Sequence, residues 1–162
     1  MITEKIMSIS PLTPMQQAFL FHKLAGGVDE GFLQVQYVIK GELNLPLLTD
    51  SWNRVIDKHD ALRISIHYKD IQKPVQVIHE QSIIEIDFRN WRNFSEEEQR
   101  SRLEFHITSD KKKGLDFSKA PLMRVALMQL SEEKYHLIWS CHHISLDAWS
   151  AGIILNEVFQ LY

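Results

Sequence analysis

Tyr135-His136-Leu137-Ile138-Trp139-Ser140-Cys141-His142-His143-Ile144-Ser145-Leu146-Asp147-Ala148-Trp149 changes its period partway along. Up to His142 the residues read as a strand, with Tyr135, Leu137, Trp139 and Cys141 on one face and His136, Ile138, Ser140 and His142 on the other. From Asp147 onward Trp149, Ile153, Ile154, Val158 and Leu161 recur at helical spacing. A strand running into a helix brings two adjacent histidines to the junction, where a ring can lean into a cleft instead of vanishing into a core. Neutral imidazole suits proton movement at neutral pH. Consecutive strand residues point to opposite sides, so one histidine is expected to be structural and held by a hydrogen bond. His143, the last before the turn, is expected to be the free imidazole. Asp147 can orient a ring nitrogen, cap the helix or pair with a distant cation, the cap being its commonest role there.

Ahead of this segment, Leu122–Leu130 and Tyr135–His142 read as two strands joined by Ser131-Glu132-Glu133-Lys134. Thr13-Pro14-Met15-Gln16 announces a helix to about Leu24, through a threonine cap, proline in the first turn and Gln16 completing a capping box. Gly26-Gly27 stops it. Phe32–Lys40 alternates as a half-buried strand, and Pro46–His59 places Leu48, Trp52, Val55 and Ile56 on one helical face. Ala61–Tyr68, Val75–His79 and Ile83–Phe88 are read as short strands. Ser95-Glu96-Glu97-Glu98 opens a polar helix to about Asp110. Lys111-Lys112-Lys113-Gly114 ends it, with lysines offsetting the negative helix terminus or, alternatively, contacting phosphate. His22 and His59 fall on amphipathic helices as packed or surface residues. The whole is α+β.

Composition excludes several classes. A chain of 162 residues with 44% hydrophobic and 24% charged residues is ordinary for one globular domain. Lys+Arg 18 against Asp+Glu 21 gives a net charge of −3 and no electrostatic case for nucleic acid. No apolar run approaches the roughly 18 residues of a membrane span, and the first ten residues lack a signal-peptide core. Cys141 is the sole cysteine, so no intrachain disulfide forms and a reducing cytoplasm is the expected compartment. Beside Trp139 it reads as a core thiol. Adjacent histidines cannot readily chelate one ion, and no second ligand cluster is seen, so no metal is expected. No G-x-S-x-G elbow is present. What remains is acid–base or positioning chemistry by a histidine.

His142-His143-Ile144-Ser145-Leu146-Asp147-Ala148 resembles the HHxxxDG signature of the chloramphenicol acetyltransferase-like superfamily. Within it, three further segments resemble motifs of nonribosomal peptide synthetase condensation domains. They are Pro11-Leu12-Thr13-Pro14-Met15-Gln16-Gln17-Ala18-Phe19-Leu20-Phe21-His22, Lys58-His59-Asp60-Ala61-Leu62-Arg63-Ile64-Ser65 and Phe117–Leu127. The resemblance spans almost all of the chain and implies a two-layer sandwich lobe, a mixed sheet flanked by helices. It also implies that residues 1–162 are a single lobe, the N-terminal half of a condensation domain, with the C-terminal lobe missing.

By the same resemblance, His143 is the catalytic histidine, acting on the acceptor amine or stabilising the tetrahedral intermediate, and His142 is its structural neighbour. Asp147 would hold the motif loop in a salt bridge with Arg63. Ala148, Trp149 and Ser150 would line the motif loop and tunnel, with Ala148 standing where the family has glycine. The implied reaction is amide formation between a donor acyl thioester and an acceptor aminoacyl thioester. Both would be carried on 4'-phosphopantetheine of carrier domains, with no cofactor bound by the lobe itself. Partners would be those carriers, the second lobe and neighbouring synthetase domains. Alternatives are a trimeric chloramphenicol acetyltransferase-like acetyltransferase, a non-catalytic carrier-binding lobe and, from the His142–Asp147 spacing, a glycerolipid acyltransferase.

Overall fold

The computed structural model describes residues 5–26 and 29–162. In chain order the elements are β1 (Ile6–Pro11), α1 (Pro14–Leu24), β2 (Phe32–Lys40), α2 (Leu45–Lys58), a 3-10 turn (Asp60–Arg63), β3 (Ile64–His67), β4 (Val75–His79) and β5 (Asp87–Asn90). They continue with α3 (Glu96–Lys113), β6 (Met123–Ser131), β7 (Lys134–His142) and α4 (Ala148–Leu161). The strands divide between two sheets: an antiparallel one ordered β1-β4-β3, and a mixed one ordered β2-β7-β6-β5. In the second sheet only the β5–β6 pairing is parallel.

The two faces of β7 go where alternation sends them. Tyr135, Leu137, Trp139 and Cys141 enter a core with Leu48, Trp52, Val55 and Ile56 of α2 and Ile154, Leu155 and Val158 of α4. Trp52 and Trp139 meet there with ring centroids 5.2 Å apart, and burying one such ring contributes roughly 4–6 kcal/mol of hydrophobic stabilisation. Ile138 faces the other way, with Trp91, Ala126 and Met128, beneath Leu103 and Ile107 of α3. Helices therefore cover both faces of the larger sheet. A third cluster, of Leu12, Leu20, Ile64, Ile66, Phe117, Leu122 and Ile144, joins the smaller sheet and α1 to the loop after β7.

Helix starts follow their caps. Thr13 and Gln16 form the reciprocal capping box, as do Ser95 and Glu98. Lys111–Lys113 occupy the last turn of α3 rather than following it, and Gly114 makes the exit at φ +62°. Gly26 has φ +75°, while Gly27 lies outside the described residues.

Three expectations are corrected. Ile6–Pro11 is a strand that the sequence does not announce, because its residues are nearly all exposed and lack a clean two-residue period. Ala61–Arg63 belongs to the 3-10 turn, so β3 begins only at Ile64. Ile83–Ile86 is not a strand. The side chain of Asn53 donates to the Ile84 carbonyl at 3.1 Å and accepts from the Ile84 N–H at 2.8 Å, satisfying the backbone as a neighbouring strand would. Pairing starts at Asp87.

Candidate active site

β7 delivers His142 in full sheet register, opposite Phe32 of β2, and ends there. The chain then turns tightly: the N–H groups of Ser145 and Leu146 both donate to the His142 carbonyl, at 3.0 and 3.2 Å. His143 is the first residue of that turn, and its N–H donates to the Gly31 carbonyl at 2.8 Å. Pairing ends at His142, so strand alternation does not set the His143 ring. Both rings pack on Phe19, with centroids 5.7 Å away, but His142 is fully buried and His143 only partly so.

His142 is fully buried. Its Nδ1 accepts the Ile144 N–H at 2.9 Å, so the neutral ring carries its proton on Nε2, which donates to Asp29 Oδ1 at 2.8 Å. Burial depresses its proton affinity, with the Asp29 carboxylate only partly opposing that. Phe117 meets this ring edge-on at 4.7 Å and Phe19 at 5.7 Å.

His143 is half-buried, and its Nδ1 lies 3.0 Å from the Leu146 carbonyl. A carbonyl oxygen only accepts, so Nδ1 bears a hydrogen, and in the neutral form of the ring Nε2 holds the lone pair. Among the described residues no group is bonded to that Nε2. Phe19 stacks on the ring at 5.7 Å with planes 9° apart, fixing the plane in which the lone pair lies. Gln16 of α1 donates to the Ile144 carbonyl at 3.2 Å and to Gln76 at 2.8 Å, tying the loop to the smaller sheet. The arrangement is a held imidazole with one unengaged basic nitrogen.

The structure does not bring Asp147 and Arg63 together, and the salt bridge between them is corrected. Asp147 is exposed and accepts the Ser150 N–H at 2.7 Å, the helix cap that sequence reasoning placed beside the salt bridge. Those bonds to Ser150 hold its carboxyl below the usual range. Arg63 is buried and engaged elsewhere: Nε donates to the His79 carbonyl at 3.0 Å, Nη1 to the carbonyls of Ile56 and Asp57, and Nη2 to Asp60 at 2.6 Å. It locks α2, the 3-10 turn and β4 together.

Ala148 and Trp149 begin α4 on the surface, Trp149 being 81% exposed, and Ser150 is half-buried. Cys141 is buried in the sheet core, which pushes its thiol up to about 12 and makes it a packing residue. His59 and Lys58 both bind Glu157 of α4, at 2.6 and 2.7 Å, and His22 is exposed. Lys111–Lys113 are exposed and, with Lys23, Asp29 and Gly114, border a cavity of about 630 Å³. Among the described residues no group of three or more His, Cys, Asp or Glu side chains could hold a metal. No helix among them is long and apolar enough to cross a membrane.

Sequence reasoning missed Asp29 and Gly31. Both precede β2 in a short polar segment without periodicity. The one available signal was a glycine placed immediately before a strand. A Cβ on Gly31 would come 2.3 Å from His142 Cε1, so the close approach of backbone to ring requires glycine.

The fold is shared with solved condensation and cyclization domains. The chain superimposes on the EpoB cyclization-docking bidomain of Sorangium cellulosum with a TM-score of 0.83 at 21% identity, covering 100% of this chain and 33% of that one. It matches the starter condensation domain of rhizomide synthetase RzmA with a TM-score of 0.81 at 18% identity, covering 96% of this chain and 39% of that one. The particular family follows from sequence. Residues 6–162 match the condensation domain family, and the chain belongs to it.

It is 36% identical to bacitracin synthase 3 of Bacillus licheniformis over 158 residues, 97% of this chain and 2% of that protein. It is 34% identical to tyrocidine synthase 2 of Brevibacillus parabrevis over 160 residues, 98% of this chain and 4% of that protein. The chain therefore spans a few hundredths of the length of these curated relatives.

Proposed function

We propose that this lobe supplies the histidine side of an amide-forming site in nonribosomal peptide synthesis. The donor is an acyl thioester and the acceptor an aminoacyl thioester, each on the 4'-phosphopantetheine of a carrier domain. The carrying observation is the His143 ring, held by its Nδ1–H on the Leu146 carbonyl and presenting Nε2 as a base. The acceptor amine attacks the donor thioester carbonyl, forming the C–N bond and a tetrahedral intermediate. His143 Nε2 takes a proton from that nitrogen; as the C–S bond breaks, the proton passes to the departing thiolate. The products are an amide and a free thiol, and no covalent enzyme intermediate is needed. A fixed ring supplies orientation as well as basicity, two effects that each lower the barrier.

Exposed apolar side chains on the helices are what a second lobe would cover: Met15, Phe21 and Leu24 of α1 and Trp149 and Ile153 of α4 are all exposed. In this reading Ala148, Trp149 and Ser150 line the passage between the lobes, Asp147 keeps α4 capped, and Arg63 stiffens the scaffold. Neighbouring synthetase domains deliver the carriers, and the compartment is the cytoplasm. The test is peptide transfer between loaded carrier proteins by the full synthetase bearing this lobe. His143→Ala is expected to lower the turnover number about 100- to 10,000-fold, and full activity in that variant overturns the assignment.

A further inference from the structure

The buried His142 ring cannot be held by its own strand alone. Its Nδ1 is committed to the Ile144 N–H, and its Nε2–H needs an acceptor where water has no access. That acceptor comes from outside the motif. Asp29 reaches Nε2 at 2.8 Å with Oδ1, while Lys23 holds Oδ2 at 3.3 Å. Lys23 also lies 4.3 Å from the centre of the Phe117 ring, which itself packs on His142. Two residues on, the Gly31 carbonyl takes the His143 N–H. One short segment thus grips both histidines, the first by a carboxylate and the second by backbone.

We infer that Asp29 is a positioning residue for the condensation step, its carboxylate fixing His142 as the Nε2-protonated tautomer so that Nδ1 pins the Ile144 N–H and the loop presents the His143 ring. This rests on the reading of His143 given above. With the opposite tautomer, the Nδ1–H of His142 would face the Ile144 N–H, two donors in contact. The turn would then open, and the His143 ring bond to Leu146, three residues along the same turn, would shift with it. Asp29 is suited to the task. Burial raises its carboxyl, but the bond to His142 and the charge of Lys23 outweigh that and keep it ionised.

Kinetics on the full synthetase separate positioning from simple stabilisation. Asp29→Ala is expected to lower the turnover number for peptide transfer roughly 10- to 100-fold, the range for lost support of a catalytic group, with the carrier KM unchanged. Asp29→Asn keeps an oxygen acceptor for Nε2–H and is expected to recover most of that loss. Lys23→Met removes the ion pair but leaves the bond to His142, and should lose less than about fivefold. If Asp29→Ala does not fold, Asp29→Ser, too short to reach Nε2, takes its place with the same expectation. Equal losses in Asp29→Ala and Lys23→Met, no recovery in Asp29→Asn, or wild-type turnover in Asp29→Ala each overturn the inference. His143→Ala in the same assay keeps the two readings apart. Its inactivity alongside a fully active Asp29→Ala removes only the role of Asp29, whereas its full activity removes the reading of His143 itself.

Discussion

His142 and His143 are neighbours with the same side chain, and only their bonds make them different. His142 has both ring nitrogens engaged and no exposure, whereas His143 has one nitrogen engaged and one available. That asymmetry depends on close approach at Gly31. An added methyl group there meets His142 Cε1 at 2.3 Å, Nε2 at 2.6 Å and Phe19 Cδ1 at 3.0 Å, with no flexible side-chain end to yield. Gly31→Ala is therefore expected to destabilise the fold by about 1–3 kcal/mol, the usual cost of overpacking. Urea unfolding checks this, and an unchanged midpoint contradicts it. The sequence reading expected one held and one available ring, and the hydrogen bonds add that the available nitrogen is His143 Nε2. The partner of His142 was not legible, because Asp29 sits in an aperiodic segment 113 residues away along the chain.

Among the elements, the junction between β7 and α4 is set by the cap. Asp147 accepts the Ser150 N–H and begins the helix, and among the described residues its bonds and those of Arg63 go to different partners. The two readings of Asp147 separate on substitution. Asparagine caps as well as aspartate, while alanine does not. Asp147→Asn is thus expected to melt with the wild type and Asp147→Ala roughly 2–4 °C lower. Differential scanning calorimetry decides, and equal losses in both variants would favour a charge-dependent bond instead. Elsewhere elements with strong periodicity, such as β2, α2 and β7, were legible to within a residue or so. Ile83–Ile86 was not, since it has β-type residues whose backbone partner is the Asn53 side chain. α3 has no fully buried residue; Gln99 donates to the carbonyls of Trp91, Phe94 and Leu130, and Asp110 bonds Arg124, Ser140 and Gln34.

Across the whole molecule, several buried or half-buried titratable groups couple folding to pH. Burial lowers the proton affinity of His106, His136 and His142 below the ordinary value of 6.5. Above 6.5 both folded and unfolded chains keep these rings neutral, and the stability they contribute is fully present. As pH falls below 6.5 the unfolded chain binds protons that the folded chain resists, so stability declines toward the lowered folded values. Asp29 and Asp110 are shifted down from 3.8 and add a second loss only below that value. Thermal unfolding between pH 7.5 and 5 is expected to show a falling midpoint, and a flat profile over that interval contradicts it. The alternation that sends one face of β7 into the core, the capped helices and the family resemblance were all written in the chain. Each is a local pattern or a short contiguous motif, carried by neighbouring residues. The pairing of His142 with Asp29, the glycine clearance at Gly31, the absence of a bond between Arg63 and Asp147 among the described residues and the division of the described strands into two sheets emerged only in three dimensions. Those depend on groups remote in sequence meeting across packed elements, and hydrogen-bond geometry between remote groups leaves no period along the chain.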